Sequence, residues 1–106
     1  MATVYVKTIS AYDAANAQVV LFGYSGNQCI KNKIVVYDSS TATAVYDNTV
    51  TTYQLSHAIP AGTLTNGTSY YCIVTAYYMD GATEKSVVSS ASNIWKCLST
   101  AAWSFN

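Results

Sequence analysis

Few groups in this chain could do chemistry near neutral pH: one histidine, His57, five acidic residues and three cysteines among 106 residues. A nucleophilic set could be written from Ser56, His57 and Asp80, because a reactive hydroxyl needs an imidazole to take its proton and a carboxylate to orient that imidazole. Ser56 and His57 are adjacent, however, and neighbouring side chains on a strand point to opposite faces, so they do not readily share a proton. His57 is therefore read as a strand-end residue bonded to backbone or solvent, no catalytic residue is assigned, and the chain is read as a binder and not an enzyme. Metal chemistry fares no better, since Cys29, Cys72 and Cys97 lack ligand-like spacing and His57 is the only imidazole. No metal or cofactor is assigned. Asp38, Asp47 and Asp80 fall in turn-rich stretches, as aspartates often do. Asn66-Gly67-Thr68 matches a glycosylation sequon, which would matter only on a secretory route.

The cysteine count is odd and includes no C-x-x-C pair. A single Cys72–Cys97 or Cys29–Cys97 bond is compatible with the sequence, but three free thiols are the simpler reading, with Cys72 as a small core hydrophobe. The opening Met1-Ala-Thr-Val-Tyr-Val-Lys7 lacks a basic segment followed by an apolar one, so it does not read as a secretory signal. A soluble intracellular product, or a piece of something longer, is expected. With five lysines against five acids and no arginine, nothing is available to neutralise a phosphate backbone, which argues against nucleic-acid binding. The longest strongly apolar run, Tyr70 to Met79, is too short for a membrane helix and is interrupted by Thr75.

The elements that must carry these residues are strands. Apolar and polar residues alternate in short runs separated by turn residues, and no stretch sustains helical spacing. Ten tyrosines and many valines and threonines suit a pleated, half-buried surface. Strands are predicted over Val4–Ile9, Ala17–Tyr24, Ile30–Asp38, Ala42–Tyr46, Val50–Ala58, Thr68–Tyr78 and Lys85–Leu98, the last broken near Ser90. Seven strands with no helix between them predict an all-β fold, an antiparallel sandwich spanning residues 1–98, with 99–106 as a tail or a linker to a further module. Alternation puts Tyr70, Cys72, Val74, Ala76 and Tyr78 on the core face of the sixth strand, with Val20, Phe22 and Tyr24 of the second and Ile34 and Val36 of the third. A register slip by one residue would invert each set.

The run Leu64-Thr-Asn-Gly67-Thr68-Ser-Tyr70-Tyr-Cys-Ile-Val74-Thr-Ala76 resembles the most recognisable stretch of fibronectin type III domains: a leucine, then proline-glycine-threonine, then tyrosine and alternating valines ending in alanine. The resemblance implies an immunoglobulin-like sandwich in which Leu64 caps one end, Gly67 permits the turn, and Tyr70 forms a structural tyrosine corner by bonding back to the upstream backbone. Asn66 replaces the family's usual proline, Tyr24 its second-strand tryptophan, and Ile34 with Val36 its tyrosine-x-valine. A second resemblance covers nearly the whole chain. Met1-Ala-Thr-Val-Tyr-Val-Lys-Thr-Ile-Ser-Ala-Tyr-Asp13, Ser25-Gly-Asn-Gln28, Ile59-Pro-Ala-Gly-Thr-Leu-Thr-Asn-Gly67 and Cys97-Leu-Ser-Thr-Ala-Ala-Trp-Ser-Phe105 look like the N-terminal fibronectin type III-like domain of tail, baseplate or fibre proteins of phages infecting Gram-positive bacteria. Ala101-Ala102 stand where threonine-proline is expected in the segment leading to the next module. This resemblance implies a virion location, made in the host cytoplasm, and a structural or adhesion role. Its implied partners are other virion proteins or further domains of the same protein, with homo-oligomerisation in the assembled context.

The remaining feature is surplus aromatic surface. With Tyr70, Cys72 and Val74 facing the core, Tyr71 and Tyr77 stand on the outer face with Ile73 between them, and Trp95 and Trp103 add apolar area near the end of the last strand and in the tail. One reading makes Tyr71, Tyr77, Trp95 and Trp103 a contact surface for subunits or a further domain. A rival reading makes Tyr71, Tyr77 or Trp95 a stacking platform for a glycan of the host surface. A third leaves Tyr71 and Tyr77 across from threonines and lysine stems, where they stiffen the sheet.

Overall fold

The computed structural model describes residues 2–99. Its strands are β1 (Thr3–Val6), β2 (Gln18–Ser25), β3 (Cys29–Asp38), β4 (Thr43–Val50), β5 (Ser56–Ile59), β6 (Ser69–Asp80), β7 (Thr83–Val88) and β8 (Trp95–Lys96). They form two antiparallel sheets, β1-β2-β5 and β4-β3-β6-β7, with β8 also paired to β6. The fold is an immunoglobulin-like β-sandwich, all-β and antiparallel as the alternation and turn spacing predict. No helix among the described residues is long and apolar enough to cross a membrane.

Period-2 alternation builds the core. Tyr70, Cys72, Val74 and Ala76 of β6 point inward beside Ile34 and Val36 of β3, and Val20 and Phe22 of β2 meet them from the facing sheet with Ile59 of β5. Tyr24 and Tyr78, at the ends of their inward rows, are only half-buried. Burying each of the large side chains contributes about 1.5–3 kcal/mol.

Four predicted strands change their bounds, each because of pairing the local sequence does not display. The first strand stops at Val6; beyond it Ile9 is held by Asn93, whose Oδ1 accepts from the Ile9 amide at 2.8 Å and whose Nδ2 donates to the Ile9 carbonyl at 2.8 Å. The predicted short fourth strand runs on to Val50, because Thr43–Val50 pairs with β3 at every residue but Val45, which is bulged out, whereas Ser56–Ile59 pairs with β2 of the other sheet. Residues 51–55 must therefore leave one ladder to reach the other, and they form a crossover loop in place of the front half of the predicted Val50–Ala58 strand. The last predicted strand divides into β7 and β8, with residues 89–94 lying opposite residues 71–74, six against four. Serines hold this bulge to β6. The Ser89 amide donates to the Val74 carbonyl while the Ser89 hydroxyl accepts from the Val74 amide, and Ser92 treats Cys72 in the same way, all at 2.8–2.9 Å.

Asn66, which replaces the proline of the resembled family, ties two loops together. Its Oδ1 accepts from the Ala14 amide at 2.9 Å, and its Nδ2 donates to Asp13 Oδ1 at 3.0 Å, an oxygen that also accepts from the Ala15 amide at 2.9 Å. Gly67 follows at φ 92°, a left-handed conformation that strains any residue with a Cβ. Asn66→Ala strands the amide of buried Ala14 and is expected to cost about 1–3 kcal/mol in urea-induced unfolding. A change below about 0.5 kcal/mol, the range of an ordinary surface substitution, would show that the clamp contributes nothing.

Candidate functional site

The outer face of the five-stranded sheet is laid out by register. Tyr71 lies opposite Tyr37, Ile73 opposite Val35, Thr75 opposite Lys33, and Tyr77 opposite Lys31. Opposed residues share a face, so each tyrosine meets its partner directly. Tyr37 and Tyr71 stack with centroids 5.2 Å apart and planes 16° from parallel. The Lys31 ammonium sits 4.5 Å from the centroid of the Tyr77 ring and 3.3 Å from Glu84 Oε1 on β7. Both tyrosines are half-buried, and each already has one face engaged by a neighbour.

Trp95 departs from the expected surface position: it is 3% exposed and belongs to the core. Its strand register explains why. Trp95 pairs with Tyr70, whose side chain points inward, so the indole must point inward too, and the two rings pack at 6.1 Å, tilted by 39°. Because the 89–94 bulge adds an even number of residues, Trp95 keeps the inward parity of Val87, a signal present in the sequence that the count of surplus aromatics obscured. Trp103 lies outside the described residues. Tyr70 itself is 4% exposed, and its hydroxyl accepts from the Thr65 amide at 2.9 Å and lies 3.4 Å from the Thr65 carbonyl.

His57 is not at a solvent-facing strand end; it is buried between the sheets. Its Nδ1 lies 2.6 Å from Oδ1 of fully buried Asn32 on β3, and its Nε2 lies 3.3 Å from Nδ2 of Asn48 on β4. A carboxamide oxygen on one side and an amide nitrogen on the other assign the neutral ring with the proton on Nδ1. Burial pushes the imidazole below its ordinary value of 6.5. Ser56 sits on the other side of the strand, half-buried, and Asp80 pairs with Lys85 at 3.0 Å, so these three residues form no relay.

All three cysteines are free and buried. Burial pushes the Cys72 thiol up to about 11, with the Ser92 hydroxyl acting weakly against it. Burial also raises Cys97 and Tyr12, which lie side by side at the same end of the core. Cys72 and Cys97 are thus packed as hydrophobes and poorly ionised, the opposite of a reactive cysteine. Among the described residues no group of three His, Cys, Asp or Glu side chains could hold a metal ion.

A row of exposed apolar side chains lies on the other sheet. Tyr5 of β1 and Val19 and Leu21 of β2 are 61%, 54% and 50% exposed. They are the outward partners of buried Val4, Val20 and Phe22, so the same alternation that predicts the core of β2 places Val19 and Leu21 outside. Gly23 lies opposite Tyr5, and a Cβ there would come within 2.2 Å of the phenol ring, so the ring lies across bare backbone. No protein-family model, curated protein or solved structure matches the chain.

Proposed function

We propose that the chain is a non-catalytic structural and adhesion module of a phage virion, in a tail, baseplate or fibre, mediating subunit or domain contacts. The observation that carries the contact role is the outward row of Tyr5, Val19 and Leu21, large apolar side chains left open on one sheet face. The virion setting is supported by the resemblance of the opening, middle and closing segments. A glycan platform on Tyr71, Tyr77 or Trp95 is less well supported, because two of these rings each have a face engaged and the third is buried.

Leu21→Glu places a charge in the open face without disturbing the core. It is expected to leave stability within about 0.5 kcal/mol of wild type. It should weaken self-association, or incorporation into particles, by about tenfold or more. Light scattering over a concentration series in reductant reads the first, and quantitative mass spectrometry of purified particles the second. A chain that stays monomeric at every concentration and is missing from particles would overturn the proposal.

A further inference from the structure

A depression of about 460 Å³ opens where the crossover loop meets the five-stranded sheet, lined by Ile30, Lys31, Thr51, Thr52, Tyr53 and Glu84. Rigid elements hold its walls. Lys31 is on β3 and Glu84 on β7, bonded to each other across Tyr77 of β6. The loop is fixed by the Thr52 amide donating to the Ile30 carbonyl at 3.1 Å, and shaped by the Thr52 hydroxyl accepting from the Gln54 amide at 3.1 Å. Between these two anchors Tyr53 is turned outward and is 69% exposed, the most exposed large hydrophobic side chain among the described residues. An aromatic ring displayed on a pinned loop beside an ion pair and threonine hydroxyls is organised for a ligand with one flat apolar face and a polar rim.

The charges select the ligand class. Lys31 and Glu84 are paired with one another, so the depression carries donors and acceptors side by side but no net charge, and neither an anion nor a cation gains from entering it. Threonine hydroxyls add further groups that both donate and accept. We infer that this depression binds a neutral saccharide, with C–H groups of a pyranose ring on Tyr53 and vicinal hydroxyls bridging Lys31 and Glu84. The site is separate from the open face of Tyr5, Val19 and Leu21 and does not depend on the virion reading. It also differs from a platform on Tyr71, Tyr77 or Trp95, because Tyr53 is the ring left uncovered.

The test is a titration of the isotopically labelled full chain, followed by two-dimensional amide NMR, with maltotriose, cellotriose, galactobiose and tri-N-acetylchitotriose, and with inorganic phosphate as the charged probe. At least one saccharide is expected to give saturable shifts confined to residues 30–31, 51–54 and 84, while phosphate gives none there. Tyr53→Ala should weaken that binding about tenfold. Glu84→Gln, which leaves Lys31 unpaired, should weaken saccharide binding and allow phosphate to shift the same amides. Tyr5→Ala should change neither. Retained peak dispersion in each variant shows that the fold is intact. Absence of saturable shifts with every saccharide, shifts that survive Tyr53→Ala, or phosphate binding by the unaltered chain would each overturn the inference.

Discussion

Asn32→Ala is expected to lower the free energy of unfolding by about 3 kcal/mol or more, a large share of the roughly 5–15 kcal/mol that holds a domain of this size together. Asn32 is fully buried, and its carboxamide accepts the proton of His57 Nδ1 while its Nδ2 lies 3.5 Å from the carbonyls of Gln54 and Ser56. Truncation opens a cavity and leaves a buried N–H without an acceptor, and the two penalties add. Urea unfolding at pH 7.5 measures the loss; a change within about 0.5 kcal/mol would mean that the cluster relaxes to water or to new partners.

The same cluster sets a dependence on acid. The folded imidazole is held neutral below 6.5, while in the unfolded chain it titrates near that value. As pH falls through 6.5 the unfolded state takes up a proton that the folded state refuses, so stability falls with pH, by up to about 1.4 kcal/mol per unit. The loss continues until the folded pKa is reached; above 6.5 the group contributes no slope. His57 is the only histidine in the chain, so the imidazole's share of the slope between pH 6.5 and 5 belongs to it. His57→Gln should flatten the slope, whatever it costs in stability at neutral pH. A wild-type chain equally stable at pH 5 and 7 would contradict the buried neutral ring.

Trp95→Ala should cost about 3–5 kcal/mol, whereas an exposed contact residue at the same position would cost about 0.5 kcal/mol or less. The indole is 3% exposed and packs on Tyr70, whose hydroxyl in turn meets the Thr65 backbone, so truncation empties space under the end of the sandwich. Trp95→Phe keeps part of the volume and should recover at least half of the loss. Thermal unfolding of both variants checks the pair. A small effect of Trp95→Ala would return the indole to the surface and restore it as a candidate contact residue.

Much of the sandwich was legible locally. The inward row of β6 and the core residues of β2 and β3 follow from alternation, because on a strand every second side chain shares a face whatever the strand pairs with. Gly67 and the Asp80-Gly81 turn mark ends of elements for equally local reasons. The candidate sites were less legible. Tyr53 sits in a stretch that reads as strand, and only the need to cross from β4's sheet to β5's turns it into a loop that displays its ring.

By itself, then, the sequence determined the all-β class, the turns and the inward faces, since these depend on neighbours one to four residues apart. The tertiary structure decided which groups meet. Asn32, Asn48 and His57 converge from three strands and two sheets, and Lys31, Tyr77 and Glu84 align because β3, β6 and β7 pair in one register. Trp95 is buried because its register places it against an inward tyrosine. Such partnerships join residues far apart in the chain, and a shift of one position on any of these strands would dissolve them without altering a single local preference.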